Sequence, residues 1–391
     1  MSPIETVEAS LREQPATWLV TGCAGFIGSR LALRLVENGH EVTVLDNLLE
    51  QVHGDDPEKS EGYRAVADKT AFIRASVTDR DAMERALKGQ EAVVHLAAET
   101  GTGQSMYRIA HYSDINIGGT SLLLDILANS EHAVKRVVVA SSRSIYGEGR
   151  YRTPDGGYVY PDHRAEADMQ AGDFEVKHPG VDGPLELVST DEESKIHPSS
   201  VYGITKQVQE QLVMTVCPSI GIEGVAFRYQ NVFGPGQSLS NPYTGILSIF
   251  SNLMMQGKPI NIFEDGEESR DFVFVDDVVE ATVLGVEHPA AANEVFNVGT
   301  GVPVTVMTVA KTLSRLLEAD VPIEVSGNFR LGDIRHNYAD MTRIGEKLGF
   351  TPAYDFEQGI ARLAAWAKAS GPQASSYEES LEEMRRKGLM K

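Results

Sequence analysis

The chain has 391 residues and a formal net charge of −21, with 42% hydrophobic and 23% charged residues. This composition is that of an ordinary globular protein and excludes collagen-like, disordered and membrane-embedded classes. The negative charge argues against a nucleic-acid partner, because the phosphate backbone repels an acidic surface. With only two cysteines, Cys23 and Cys217, no disulfide framework is expected and a cytoplasmic location is predicted. No apolar run reaches the length of a membrane span, so no membrane partner is predicted.

Short apolar runs alternate with amphipathic helical patterns along most of the chain, after a leader of residues 1–15 that is expected to be loosely attached. The predicted strands are Thr17–Thr21, Glu41–Leu45, Ala71–Ala75, Ala92–Leu96, Arg136–Ala140, Gly224–Tyr229 and Glu294–Val298. The predicted helices are Phe26–Asn38, Arg80–Lys88, Gly118–Asn129 and Ser199–Val216. This alternation predicts βαβ units and therefore an α/β fold with a doubly wound parallel sheet.

A glycine-rich turn follows the first predicted strand and opens the first predicted helix. Gly22, Gly25 and Gly28 have the spacing in which the first glycine permits a tight turn and the second lets a pyrophosphate approach the backbone. The third lets helix and strand pack closely, and the free N–H groups of the helix start hold phosphates.

Asp46 ends the second predicted strand, 18 residues after Gly28. A carboxylate at this position accepts hydrogen bonds from the adenosine ribose and repels a 2′-phosphate. The glycine turn with Asp46 thus predicts NAD rather than NADP as cofactor. The alternative is an exposed turn aspartate that binds nothing.

Tyr202 and Lys206 are four residues apart on the Ser199–Val216 helix, so their side chains leave the same helix face. An ammonium group beside a phenol favours the phenolate, lowers the pKa of the phenol and makes it a usable base. Alone, this pair is typical of an ordinary surface helix. Downstream of a dinucleotide-binding turn, it indicates a catalytic pair.

Further motifs occur in a fixed order between Thr17 and Trp366. They are His95-Leu96-Ala97-Ala98, Asn116-x-x-Gly119-Thr120, Ser141-Ser142-Arg143-Ser144-Ile145-Tyr146-Gly147, Arg228-Tyr229-x-Asn231-Val232-Phe233-Gly234-Pro235, Arg270-Asp271-Phe272-Val273-x-Val275-Asp276-Asp277 and Asn297-Val298-Gly299. With the glycine turn and the Tyr/Lys pair, the chain resembles the extended short-chain dehydrogenase/reductases that act on nucleotide sugars. The resemblance implies a Rossmann domain with a smaller C-terminal substrate-binding lobe, NAD, a nucleotide-sugar substrate and a homodimer.

The resemblance also assigns site residues. It implies that Ser142 holds the C4 oxygen of the sugar, Tyr202 removes the C4 hydroxyl proton and Lys206 keeps Tyr202 ionised. The alternative for Ser142 is a strand-end serine that caps a turn. The expected cofactor contacts are Gly22, Gly25, Phe26, Ile27, Gly28, Asp46, Asn47, Ser76, Val77, Leu96, Ala97, Ala98, Asn116, Ser141, Tyr202, Lys206 and Tyr229. The expected substrate contacts are Glu99, Ser142, Arg143, Asn231, Arg270, Arg330 and Asp333.

Two arginines are expected to bind the substrate diphosphate by this resemblance. The forked donors of Arg270 and Arg330 can chelate a pyrophosphate. The alternative for Arg270 is a surface ion pair with Asp271 or Asp276.

The predicted domain organisation follows from these motifs. The NAD-binding domain is expected to cover residues 16–233, with 268–300 returning to it, and the substrate-binding lobe to cover 234–267 and 301–370. Residues 371–391 are expected to form a helical tail. Residues 148–198 form an acidic insertion rich in proline and glycine, and a loop of this length usually serves as a lid or a contact surface. No metal site is predicted, because the histidines of the insertion have no nearby cysteines.

The residues after Ser142 bear on the type of reaction. Family dehydratases carry Asp and Glu directly after the catalytic Thr, and family decarboxylases carry Glu at the second position, where this chain has Arg143 and Ser144. The sequence therefore favours a 4-epimerase that acts through a transient 4-keto sugar with tightly bound NAD. A dehydratase or decarboxylase stays open, since the insertion could supply an acid.

A reductase and a regulator are each disfavoured by particular residues. Asp46 argues against a reductase that uses free NADPH, and the retained Tyr202 and Lys206 argue against a dinucleotide-sensing regulator. Sixty residues separate Ser142 from Tyr202, a spacing that resembles a bacterial group around dTDP-L-rhamnose 4-epimerase. Both dTDP- and UDP-hexoses remain possible substrates.

Overall fold

A computed structural model describes residues 16–391, and the expected leader of residues 1–15 lies outside the described residues. Its central feature is a seven-stranded, fully parallel sheet with the order β7-β6-β5-β4-β1-β2-β3. The strands are β1 (Thr17–Thr21), β2 (Glu41–Asp46), β3 (Ala71–Arg74), β4 (Ala92–His95), β5 (Arg136–Ser142), β6 (Glu223–Tyr229) and β7 (Glu294–Val298). All seven predicted strands are confirmed. The strand order changes direction between β1 and β4, and a crevice at such a point is where open α/β sheets bind ligands.

Helices cover both faces of this sheet, which confirms the doubly wound fold. They are α1 (Phe26–Glu37), α2 (Arg80–Leu87), α3 (Gly119–Asn129), α4 (Val201–Ser219) and α5 (Val275–Glu287). Helices α1 and α5 share one apolar core with one face of the sheet, whereas α2, α3 and α4 share another core with the opposite face. No helix is predicted from the sequence at α5, where valine, a residue that favours strands, is frequent.

Short helices connect these elements. The α-helical ones are Glu50–His53, Glu61–Val66, Thr102–Ser105 and Ile109–Tyr112, followed by a π-helix at Ser113–Gly118; 3₁₀ turns lie at Pro57–Lys59, Arg143–Tyr146 and Pro289–Ala291. Within residues 16–391, no helix is both long and apolar enough to cross a bilayer.

A second group of elements lies beyond β6 and has an apolar core of its own, built around Phe233, Phe272 and Leu313. Its strands are Asn231–Phe233, Ile260–Ile262, Ser269–Phe274, Pro303–Thr305, Ile323–Val325 and His336–Asn337. Its helices are Ile246–Met255, Val306–Leu317 and Phe356–Ser370, followed by Tyr377–Arg386 near the end of the chain. The helix Thr342–Leu348 instead packs on the core that α1 and α5 share, through Ile344 and Leu348. The division into two domains at particular residues stays a prediction.

The insertion is an ordered unit anchored by buried charges. Its short antiparallel strands, Tyr151–Arg152, Tyr158–Val159 and Glu186–Leu187, accompany a helix at Glu166–Gln170. The Arg164 guanidinium donates two 2.7 Å hydrogen bonds to the Glu264 carboxylate and lies 3.5 Å from Glu148. These three side chains are at most 3% exposed, so the insertion is fixed to the second group of elements by a desolvated ion cluster.

We expect Arg164→Leu to lower the free energy of unfolding by about 3–5 kcal/mol, because it removes the cation that contacts the buried Glu148 and one of the two cations that bind the buried Glu264. The matched control is Arg152→Leu in the same insertion, since Arg152 pairs with Glu186 at 3.5 Å with both side chains well exposed. That control should cost no more than about 1 kcal/mol. Denaturant titrations of both variants measure the difference, and equal losses would contradict the anchoring role of Arg164.

Candidate active site

A cleft of about 480 Å³ lies at the carboxyl ends of the central strands. Apart from Asn116, every residue predicted to contact the cofactor lines this cleft, and so does every predicted catalytic residue. The lining residues from these predictions are Gly22, Gly25, Phe26, Ile27, Gly28, Asp46, Asn47, Ser76, Val77, Leu96, Ala97, Ala98, Ser141, Ser142, Tyr202, Lys206 and Tyr229.

The glycine turn has the shape that a dinucleotide phosphate requires. Gly22 has a φ of +70°, and a Cβ on it would lie 2.7 Å from the Ala97 backbone. A Cβ on Gly28 would lie 2.5 Å from the Gly22 carbonyl oxygen, so this glycine permits close packing of α1 on the turn. Gly25 lines the cleft, and a Cβ there would meet only the Gly22 carbonyl oxygen, at 3.2 Å. The backbone at Gly25 is therefore open to a ligand at the positive end of α1.

Asp46 is buried at the edge of the same cleft, so the alternative of an exposed turn aspartate is wrong. Its carboxylate accepts hydrogen bonds from the N–H groups of Ala24, at 2.9 Å, and Leu48, at 2.8 Å. These bonds fix the carboxylate relative to the glycine turn. The position suits a ribose and, with its negative charge, disfavours a 2′-phosphate.

Asn116 lies behind the cleft wall and is fully buried. Its side-chain oxygen accepts from the Glu99 N–H, while its amide donates to the Glu99 carbonyl and to the Thr205 hydroxyl. All of these contacts are within 3.1 Å. These bonds tie the segment after β4 to helix α4, and the predicted cofactor contact of Asn116 stays a prediction.

The three predicted catalytic residues meet where β5 ends and α4 begins. Tyr202 lies in the first turn of α4, which starts where the Ser200 hydroxyl accepts from the Gly203 N–H. The Lys206 Nζ donates to the Ala140 carbonyl at 3.0 Å and lies 5.9 Å from the centre of the Tyr202 ring. The Ser142 hydroxyl caps the 3₁₀ turn that follows β5, as the alternative for this residue predicts. Ser142 also lines the cleft.

Three causes shift the pKa of the Tyr202 phenol. Burial raises the pKa of the Tyr202 phenol, whereas a hydrogen bond from Ser142 and the positive charge of Arg143 lower it. The Lys206 ammonium is held on the Ala140 carbonyl, and the role predicted for it in keeping Tyr202 ionised stays a prediction. Burial lowers the pKa of Lys206 to about 7.

Arg143 lines the cleft beside Ser142 and Ser144. Across residues 16–391 its guanidinium has no hydrogen bond or ion pair at contact distance. Burial and the charge of Arg270 lower the pKa of Arg143 to about 9, so the group remains cationic at neutral pH. This cation stands where the family dehydratases carry a carboxylate.

The other predicted substrate residues fall into two groups. Glu99 and Asn231 line the main cleft, and the Glu99 carboxylate is 3.0 Å from the His111 Nε2. Arg330 and Asp333 line a small neighbouring cavity of about 30 Å³, which shares Thr102 with the cleft.

Arg270, Arg330 and Asp333 form one ion cluster beside the cleft. Both arginines donate to the Asp333 carboxylate, at 3.2 Å from Arg270 and 2.6 Å from Arg330. Burial alone would raise the pKa of Asp333, but the charges of the two arginines outweigh it and hold that pKa well below its usual range. The surface alternative for Arg270 is wrong, since Asp271 accepts from Thr300 and Asp276 pairs with Arg30.

One wall of the cleft belongs to the expected substrate-binding lobe of residues 234–267, although none of its residues is predicted individually. It comes from the segment after the Arg228–Pro235 motif and includes Gln237, Asn241 and Tyr243. The motif marks the start of this wall, but the polar residues that follow have no distinctive spacing. Among residues 16–391, no cluster of histidine, cysteine or acidic side chains is arranged to hold a metal ion.

The family model described as "NAD dependent epimerase/dehydratase family" matches residues 18–165 and 178–299. The chain belongs to this family. It is therefore an enzyme of an NAD-dependent epimerase/dehydratase type, and the cleft residues described above fit that cofactor. The matched regions contain the glycine turn, the Ser142 segment and the Tyr202 helix. Two members of the ion cluster, Arg330 and Asp333, lie beyond them.

Similar proteins in this epimerase/dehydratase family cover nearly the whole chain. A dTDP-L-rhamnose 4-epimerase from Burkholderia thailandensis is 37% identical over 352 residues, which are 89% of this chain and 94% of that protein. A UDP-glucose 4-epimerase from Mycolicibacterium smegmatis is 31% identical over 88% of this chain and 96% of its own length.

Solved structures of family members have the same fold. The UDP-glucose 4-epimerase of Thermotoga maritima, solved with UDP-glucose, superposes with a TM-score of 0.74 at 31% identity, covering 90% of this chain and 99% of that one. MoeE5, solved with UDP-glucose and NAD, gives a TM-score of 0.71 at 28% identity with the same coverage.

We expect Gly25→Val to weaken NAD binding by at least about tenfold without loss of fold, because its branched side chain would occupy the phosphate position. Gly28→Val is the matched comparison, since its Cβ would collide with the Gly22 backbone and destabilise the turn itself. Calorimetric NAD titration and thermal unfolding of each variant separate the two effects. Unchanged NAD affinity in the Gly25 variant would contradict the assignment of this turn.

Proposed function

We propose that this enzyme is a nucleotide-sugar 4-epimerase that acts on a dTDP- or UDP-hexose through a transient 4-keto sugar. The relatives named above, with a dTDP-L-rhamnose 4-epimerase among them, support a substrate of the dTDP-L-rhamnose type. When bound, NAD supplies the hydride acceptor for C4 and the donor that returns the hydride, so the reaction has no net redox change.

The observation that carries the proposal is the shortage of carboxylates at the reacting end of the cleft. The acidic residues that line it are Asp46, at the glycine turn, and Glu99. No residue of the insertion 148–198 lines the cleft, and the buried Glu148 is engaged with Arg164 and with the Arg335 N–H. A dehydratase must also expel the C6 hydroxyl with acid and base groups, for which epimerisation has no need.

The proposed proton steps use Tyr202 and Ser142. The Tyr202 phenolate takes the C4 hydroxyl proton while Ser142 holds the C4 oxygen, and the 4-keto sugar forms as the C4 hydride leaves for the acceptor named above. After the ketone presents its other face, Tyr202 returns the proton to the C4 oxygen. The positive charge of Arg143 favours the phenolate in both directions of the reaction.

We propose that Arg270 and Arg330 bind the diphosphate of the substrate. They are near the cleft but already share the Asp333 carboxylate. The diphosphate would bind as a further anion, with the forked donors of the two guanidinium groups.

We further propose a homodimer and a cytoplasmic location. Ile204 on α4 is 47% exposed, and Ile109 on the short helix Ile109–Tyr112 is 54% exposed. These exposed apolar residues support a contact between two copies at these helices. Cys23 and Cys217 are both buried and form no disulfide, which supports a reducing compartment.

The deciding experiment is a panel of UDP- and dTDP-hexoses incubated with purified enzyme and no added NAD. We expect the C4 epimer as product, detected by NMR at unchanged mass, and Tyr202→Phe should lower turnover by about 10²–10⁴-fold because the base is lost. The variant should keep its bound NAD. A product lighter by water or carbon dioxide would favour the dehydratase or decarboxylase alternative, and full activity of Tyr202→Phe would remove this residue from the mechanism.

The charge of Arg143 makes a separate prediction about pH. Activity requires the Tyr202 phenolate and so rises with pH toward the pKa of that phenol. Because Arg143 lowers this pKa, we expect Arg143→Ala to move the rising limb of the kcat profile to higher pH. Arg143→Lys keeps the charge and serves as control. Identical limbs for the alanine variant and the unmodified enzyme would exclude this role.

A further inference from the structure

Residues 377–391, which we call the tail, are packed against the active-site region. The tail begins with the helix Tyr377–Arg386 and ends in an extended segment. Its buried Leu381, Met384 and Met390 form one apolar cluster with Tyr107 and Phe263. The tail lies outside the residues that the family model matches, so its contacts are not accounted for by the shared family pattern.

The extended end of the tail pairs with the segment that carries Arg330. The Leu331 N–H donates to the Leu389 carbonyl at 3.0 Å. Phe329 and Lys391 exchange two backbone hydrogen bonds of 3.0 and 3.1 Å, with Arg330 opposite Met390 in an antiparallel bridge. Residues 389–391 thus fix the backbone on both sides of Arg330.

The Arg330 side chain is held in the same region. Its guanidinium donates to Asp333 and lies 5.5 Å above the Phe263 ring, which belongs to the apolar cluster of the tail. Met384 and Leu389 line the small cavity together with Arg330 and Asp333. The tail therefore forms part of the wall of the small cavity that Arg330 lines.

The tail helix also reaches the mouth of the main cleft. The Tyr107 hydroxyl donates to the Glu383 carboxylate at 3.1 Å and lies 2.8 Å from the Tyr243 hydroxyl. Tyr243 lines the cleft, and Ser105, two residues before Tyr107, accepts from the Tyr202 N–H at 3.0 Å. One element thus connects the Arg330 segment, the Ser105–Tyr107 segment and the Tyr243 wall.

We propose that the tail is a positioning element for substrate binding, which holds Arg330 in place for the diphosphate of the nucleotide sugar. The proposal rests on the function proposed above, because it takes Arg330 as a diphosphate ligand. Arginine has a long, flexible side chain, and its affinity for an anion is greatest when its backbone and guanidinium are already fixed. The tail supplies the backbone pairing and the aromatic support that fix it.

This role separates two kinetic constants. Ser142, Tyr202 and Lys206 belong to β5 and α4, which the 389–391 segment does not contact through any backbone hydrogen bond within residues 16–391. Loss of this segment should therefore weaken binding of the diphosphate, raise KM and leave kcat and NAD retention nearly unchanged.

The test is removal of residues 389–391, followed by calorimetric titration with dTDP and UDP and by steady-state kinetics. We expect the Kd of whichever nucleotide binds more tightly, and the KM of the corresponding nucleotide sugar, to rise at least about tenfold, because Arg330 would be misplaced. Bound NAD and kcat should change less than about twofold. Unchanged nucleotide affinity would overturn the proposal while leaving the epimerase function intact, and joint loss of NAD and nucleotide binding would indicate general unfolding and also overturn it.

A second pair of variants covers the case in which the shortened chain does not fold. Lys391→Pro removes the N–H that donates to the Phe329 carbonyl, whereas Lys391→Ala keeps it and removes the same side chain. We expect weaker dTDP or UDP binding with proline and unchanged binding with alanine, and equal affinities would overturn the proposal. If the unmodified chain bound neither nucleotide and epimerised no nucleotide sugar of the panel, the proposed function itself would fail, and this inference with it.

Glu383 tests the other end of the tail. Glu383→Ala removes the carboxylate that accepts from Tyr107, and Glu382→Ala is the matched control, because Glu382 is an exposed neighbour on the same helix. We expect a higher KM for Glu383→Ala and an unchanged KM for Glu382→Ala. An equal KM for the two would restrict the positioning role to residues 389–391 and overturn the proposed contribution of the tail helix.

Discussion

The hydrogen bond from the buried Lys206 ammonium to the Ala140 carbonyl joins helix α4 to the end of β5, and the geometry of the site depends on it. An ammonium removed from water costs free energy unless it is bonded, and the lowered pKa of Lys206 reflects that cost. Gly203 lets the same helix approach closely, since a Cβ there would lie 2.7 Å from the Ser144 carbonyl oxygen. With α4 held in this way, Tyr202 lies beside Ser142 and Arg143.

The parts of this structure that the sequence predicts well are those whose cause is local. Asp46 and the glycine turn are recognisable because a strand, a turn and a helix start follow one another within 30 residues. The partners of Arg164 and Arg270 are not recognisable, because Glu264 and Asp333 are distant in sequence and many carboxylates compete on an acidic chain. For the same reason helix spacing indicates Lys206 near Tyr202 but gives no sign of the second cation, Arg143, which the fold brings there.

Although the net charge is −21, the side chains of Arg164, Arg270 and Arg335 are buried and organise the region beside the cleft. Glu264 accepts hydrogen bonds from both Arg164 and Arg335, so one carboxylate links the insertion to the strand that follows Asp333. Asp333 in turn links Arg270 to Arg330. The buried part of this set, Arg164, Glu264 and Arg335, is a weak source of net stability but fixes positions, because each charge left alone would be costly.

The backbone pairing of residues 389–391 with 329–331 has a consequence for how the molecule is made. A ribosome delivers the glycine turn and Asp46 before residues 329–331, and it delivers the partner segment 389–391 later still. Chains fold from the amino end as they emerge. The glycine turn is therefore available to fold before residues 329–331 and 389–391 can pair, so the backbone on both sides of Arg330 is fixed later in synthesis than the turn.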